Sequence, residues 1–124
     1  MKFPAICENH LYSKAYSKGK RYVTDRLAVY LLPDYAAKRL AKAHPEHLVV
    51  NRLGLTVSKK LGSAVVRNRV KRILREGYRA AMAEHPIKTG FLIVIAARER
   101  AVTADTREIA RDLVRAFQKL GLCV

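Results

Sequence analysis

Apolar positions at Leu11, Tyr12, Ala15 and Tyr16 recur at helical spacing, which predicts a short amphipathic helix capped by Asn9, running to about Ser17 and stopped by Gly19. Tyr22 and Val23 predict a brief strand. The unbroken run Leu27 to Leu32 (LAVYLL) predicts a buried one that Pro33 ends. Residues 34–47 (DYAAKRLAKAHPEH) are polar and alanine-rich between prolines, and read as a long connection with room for a helical turn or two. From Leu53 to Ser58 the pattern alternates. Leu53, Leu55 and Val57 point one way and Gly54, Thr56 and Ser58 the other, which predicts a half-exposed strand ending at Lys59-Lys60.

Gly62-Ser63 then opens the longest predicted helix, with Ser63 as its candidate cap, and His85-Pro86 closes it after Glu84. Gly90 to Ala97 (GFLIVIAA) is the most apolar stretch and belongs near the centre of a sheet. A last helix follows, capped by Thr103 or Asp105, with Ile109, Leu113, Phe117 and Leu120 as its buried stripe and Gly121 at its end. Neither repeats nor low-complexity segments interrupt the chain. Its 124 residues fit one α+β domain, with helices packed on a sheet.

Charge changes the picture. Lys and Arg number 25 against 10 Asp and Glu, a net of +15 with a pI near 10.4. A domain so cationic repels itself unless a polyanion screens it, so nucleic acid is the first candidate partner and an anionic membrane surface the second. No stretch approaches the roughly 20 apolar residues a membrane span needs, and Met1 to Glu8 lacks the apolar run of a secretory signal. No membrane partner and a cytoplasmic location are therefore expected. Cys7 and Cys123 form no CxxC motif and are expected to be unpaired thiols in such a compartment. His10, His44, His47 and His85 show no ligand spacing; His44-Pro45-Glu46-His47 reads more simply as loop than as a weak metal site.

The positive charge is concentrated. Between Lys59 and Arg79 stand eight basic residues against Glu76 alone, a net of +7. At about 100° per residue, Arg67, Lys71, Arg75, Arg79 and Arg72 fall within an arc of about 140°. Asn68 lies inside that arc, and Arg69 and Glu76 on its flank. Val66, Val70, Ile73, Leu74, Gly77 and Ala81 take the opposite side. A merely solvated face would alternate its signs, whereas like charges four apart cost a few tenths of a kcal/mol per pair. Phosphates on that face remove the cost. Arginine suits bidentate phosphate contact, and Asn68 can both donate to and accept from a base edge, a ribose or a phosphate.

The run VSKKLGSAVVRNRVKRILRE, Val57 to Glu76, resembles the signature segment of the bacterial ribonuclease P protein component, with Arg67-Asn68-Arg69, Lys71-Arg72 and Arg75 as its hallmark. The first helix with Tyr12 and Tyr16, then Gly19 and the strand with Tyr30, is similar to that family's opening element. The likeness spans about residues 8–120. It implies a four-stranded sheet with three helices and a left-handed βαβ crossover, a ribosomal-protein-S5-domain-2-like fold. It also implies two RNA-facing surfaces. Lys59, Lys60, Arg67, Asn68, Arg69, Lys71, Arg72 and Arg75 would meet the catalytic RNA, the last three near the leader's path as well. Tyr12, Tyr16 and Tyr30 would line a cleft for the single-stranded 5′ leader of precursor tRNA; spacing alone favours core positions for these tyrosines. The segment before Asn9 is less basic than in many relatives, and the connection from Asp34 to His47 is longer.

No Ser/His/Asp set, carboxylate pair or phosphate-cradling glycine loop stands out in the chain. The resemblance accordingly implies an accessory subunit: catalysis in the RNA, magnesium held mainly by RNA, no cofactor bound by the protein alone and no obligate protein partner. The rival reading is a basic ribosomal protein with a structural role. A DNA-binding regulator comes third, because neither a helix-turn-helix nor a dimer arrangement is evident.

Overall fold

Phe91–Ala97, the most apolar stretch, is the strand on which the rest is assembled. The computed structural model describes residues 4–43 and 49–124. Its strands are β1 (Lys20–Val23), β2 (Leu27–Pro33), β3 (Arg52–Thr56) and β4 (Phe91–Ala97), standing side by side in the order β1-β2-β4-β3. β2 lies antiparallel to both β1 and β4, whereas β3 and β4 are parallel. Parallel neighbours need a crossover connection, and helix α3 (Ala64–Glu84) supplies it.

Leu92, Ile93, Val94 and Ile95 are all buried, so β4 is covered on both faces. Leu92 and Val94 pack with Ile6, Ala15 and Leu32 beneath helix α1 (Asn9–Lys18). Ile93 and Ile95 join Leu27, Val29, Leu31 and Leu53 beneath α3 and α4 (Thr106–Lys119). β2 alternates in the same sense, as the period of two requires. Ile109, Leu113, Phe117 and Leu120 are buried as the sequence predicts. Cys7 and Cys123 are free thiols.

Several expectations are corrected. Asn9 does not cap α1. Glu8 holds the cap position without a side-chain cap bond, its carboxylate being drawn to Arg52 instead. The brief strand at Tyr22-Val23 begins earlier, at Lys20. The connection after Pro33 does hold the two helical turns expected, as α2 (Ala37–Ala43), which buries Ala37 and Ala41 and adds a fourth helix to the three implied; His44 and His47 lie outside the described residues. Thr103 has no cap role at α4. Asp105 accepts from the Glu108 backbone N–H while Glu108 accepts from that of Asp105, a reciprocal capping box. β3 ends at Thr56, not Ser58, and it is not half-exposed: Arg52, Leu53 and Gly54 are all buried. A Cβ on Gly54 would lie 2.7 Å from the Tyr12 ring. The small residue there makes room for a ring and does not face solvent.

Arg52 explains how the two ends of the α1 face are joined. Its guanidinium is buried, with Nε donating to Asp34 Oδ2 at 2.8 Å, Nη2 to Asp34 Oδ1 at 3.0 Å and Nη1 to Glu8 Oε2 at 2.8 Å. The hydrogen bonds to Asp34 hold the Arg52 pKa above its ordinary value against the opposing effect of burial. Asp34 also accepts from the Ala36 N–H at 3.1 Å, turning the chain from β2 into α2. Before α1, Pro4 to Ile6 run along the outer edge of β3: Leu53 N–H donates to Pro4 O at 2.8 Å and Ile6 N–H to Leu53 O at 3.1 Å. Because removing Arg52 leaves the Asp34 carboxylate buried and unpaired, Arg52→Ala is expected to cost about 3–5 kcal/mol. Glu8→Ala, at the more exposed end of the network, is expected to cost about 1 kcal/mol or less. Urea denaturation at neutral pH measures both, and equal costs would show that the network is solvated.

Candidate nucleic-acid interface

Lys59–Leu61 forms a single 3-10 turn after β3, and Gly62 follows with φ +143°, a backbone setting that L side chains rarely adopt. A Cβ there would also press on Val66 at 3.1 Å. The chain can then reverse into α3, whose first turn is capped by Ser63 accepting from the Val66 N–H at 3.4 Å. This local chemistry fixes where the basic helix starts and therefore which of its residues face outward.

Val70, Ile73, Leu74, Gly77, Tyr78 and Ala81 are the buried side of α3. Tyr78 extends that side toward Arg67 and Lys71, which are half-buried, so the exposed cationic face is narrower than the sequence arc. Asn68, Arg72, Arg75 and Arg79 are its exposed members. Arg67 Nε is buried without a hydrogen-bond partner, leaving a donor on the border of that face. Arg72 lies 4.0 Å from Glu76, a loose i,i+4 contact, and Glu76 also accepts from Thr106 Oγ1 at 3.2 Å. Lys59 and Lys60 are exposed, and Lys60 borders a depression of about 440 Å³ whose lining mixes Arg98 and Arg100 with Asp25 and Glu99.

Arg69 behaves differently from its neighbours. Its Nη1 donates to Val102 O at 2.9 Å and its Nη2 to Ala104 O at 3.2 Å. The last arginine of the RNR run therefore clamps α3 to the segment that leads into α4. Sequence reasoning missed this role, because nothing in the spacing of residues 67 to 69 refers to carbonyls more than 30 residues away.

On the opposite face of the sheet, the three tyrosines come together. Tyr16 and Tyr30 meet edge to face with centroids 4.9 Å apart, and the Tyr16 hydroxyl pairs with Thr56 Oγ1 at 2.5 Å. Tyr12 lies over Gly54, and burial, with Tyr16 and Cys7 nearby, pushes its pKa up. Tyr12 and Tyr30 are half-buried, while Tyr16 remains 40% exposed. Pure core packing, favoured by spacing, does not describe Tyr16. Register sets what lies beside it: Ala28, Ala96 and Thr56 form one cross-strand row on the α1 face, next to the row Tyr30, Val94 and Gly54. Tyr16 rests on the Thr56 end of that row and on Tyr30, with part of its ring open to solvent.

The arginine clamp yields an expectation of its own. Arg69→Ala should destabilise the fold by about 1–2 kcal/mol through its two charge-assisted bonds, and Arg72→Ala by no more than about 0.5 kcal/mol. Urea midpoints of the two variants decide it; a neutral Arg69→Ala would remove the clamp.

The ribonuclease P family pattern matches residues 2–121. The ribonuclease P protein component of Clostridium botulinum (strain Langeland) is 33% identical over 122 residues, covering 98% of each chain. That of a Thermoanaerobacter species is 34% identical over 121 residues, covering 98% of this chain and 92% of that one. The solved structure of the Staphylococcus aureus RNase P protein superposes with a TM-score of 0.71 at 26% identity over 98% of both chains. A mutant of that protein gives 0.73 at 28% identity, covering 95% of this chain and 88% of the other. The signature helix, the mixed four-stranded sheet and this end-to-end similarity agree: the chain belongs to the ribonuclease P protein family.

Proposed function

We infer that the two faces of the sheet divide the work of RNA binding. The chain is the RNA-binding subunit of ribonuclease P, which acts with a catalytic RNA to remove the 5′ leader of precursor tRNA. Within that role, Lys59, Lys60, Arg67, Asn68, Lys71, Arg72 and Arg75 dock the catalytic RNA, with Arg69 holding α3 in place as well as contributing charge. Tyr12, Tyr16 and Tyr30 receive unpaired leader nucleotides. The carrying observation is the aromatic cluster on the α1 face: Tyr16 stays 40% exposed against Tyr30 and Thr56, on the side of the sheet away from α3. Stacking on such a ring grips a base without demanding a sequence, which suits a substrate class with varied leaders.

The chemistry of cleavage belongs to the RNA. Among the described residues no group of three or more His, Cys, Asp or Glu side chains converges as a ligand set for magnesium, and no step is assigned to a metal held by this chain. The protein contributes affinity for the precursor and screening of RNA–RNA repulsion. The rival ribosomal reading has no counterpart in the family match.

Reconstitution with a bacterial catalytic RNA at low magnesium tests the whole reading: leader removal should accelerate on adding the protein, and no gain would sink it. Arg75→Ala should lower the salt slope of catalytic-RNA binding by about 0.7–0.9, the amount due to one phosphate left unneutralised, with precursor discrimination intact. Tyr16→Ala should spare assembly but weaken precursor affinity by about 1–3 kcal/mol relative to mature tRNA. Gly54→Ala should act like a milder Tyr16→Ala, because its Cβ displaces the Tyr12 ring; binding titrations with precursor and mature tRNA distinguish these outcomes.

A further inference from the structure

The flank of α1 turned away from Tyr16 carries chemistry that the two surfaces above leave unused. Lys14 and Lys18 follow Tyr12 and Tyr16 by two positions each, about 200° around the helix. They border a groove of about 710 Å³ at the end of the sheet where β2 finishes and β4 begins. Lys20 and Lys88 stand on the same groove, Phe91 contributes an apolar wall, and no carboxylate among the described residues lines it. Tyr35 is 79% exposed at its rim, an unusual position for a ring with no core to fill. Lys14 Nζ sits 4.9 Å from the centre of that ring, a cation–π contact that props it at the mouth of the groove.

We propose that this groove is a second single-stranded RNA site, which takes the part of the 5′ leader lying upstream of the nucleotides held by Tyr12, Tyr16 and Tyr30. Lysines offer compact point charges suited to phosphates without imposing a fixed orientation, and Tyr35 offers a face for one base. The volume is in the range of pockets that enclose a small ligand, enough for a nucleotide or two. Helix α1, about 10–12 Å across with its side chains, is the element a strand would have to cross between the two sites, a span of a few nucleotides. The proposal rests on the assignment of the leader to the aromatic face.

The test uses the reconstituted holoenzyme and two precursors, one with a leader of about four nucleotides and one of about fifteen, bracketing the footprint of a single-strand site. Two variants are compared with the unaltered protein: Tyr35→Ala, and the triple change Lys18→Gln, Lys20→Gln and Lys88→Gln. All four positions are exposed, so folding is not at stake. Affinity for the long-leader precursor should fall at least about fivefold in each variant, while the short-leader precursor changes less than about twofold. The triple variant should also flatten the salt dependence for the long leader alone, by up to about two slope units. Equal losses on both precursors would mean a general cationic field, and unchanged binding of the long leader would mean an empty groove. Either overturns the proposal. Stimulation of short-leader cleavage by the unaltered protein reports on the aromatic site separately, so failure of that reading would be visible as its own result.

Discussion

Burial of β4 on both faces is the constraint from which the rest of the molecule follows. Leu92 and Val94 on one side and Ile93 and Ile95 on the other cannot be left to water, so helices must cover both sides of a sheet only four strands wide. α1 takes one side and the pair α3 and α4 the other. A basic helix and an aromatic cluster thereby come to lie on opposite faces of one small domain. β3 joins them: Thr56, paired with Tyr16, is three residues from the lysines that lead into α3.

The placement of α1 is over-determined. Arg52 ties the residue before it to the turn after β2, the Tyr12 ring occupies the space that Gly54 leaves, and Ala15 is fully buried against the sheet. A second polar set does similar work at the far side of the molecule. The buried carboxylate of Asp112 on α4 accepts from Thr24 and Arg26, and Arg26 also pairs with Glu108, fastening the β1–β2 turn to the last helix. Both sets use charge for positioning, in a chain whose net charge is +15.

The sequence is most legible where burial follows a simple period. The run from Phe91 to Ala97, the stripe Ile109 to Leu120 and the Ser63 cap can all be read directly, because hydrophobic spacing and capping chemistry are local. β3 misleads because a small residue looks the same whether it faces solvent or a ring from another element. Arg52 and Arg69 are opaque for a related reason: their partners, Asp34 and the carbonyls of Val102 and Ala104, are distant in the chain. The same limit applies to the tyrosines. Spacing can place Tyr12 and Tyr16 on one side of a helix, but not tell that Tyr16 stays partly open against Tyr30 and Thr56. Tyr35 gives no signal at all, inside a stretch that reads as a connection.

The short run Pro4 to Ile6 has a consequence beyond holding the start of the chain. An open sheet has two free edges, each a row of unpaired backbone groups on which another copy could add a strand. On the β3 edge, Leu53 gives both its backbone groups to Pro4 and Ile6. On the β1 edge, Lys20 and Arg21 put positive charge where a second copy would bring the same sign. One edge is thus shielded by the chain itself and the other by repulsion. Both features oppose the addition of a further strand at the edges of the sheet.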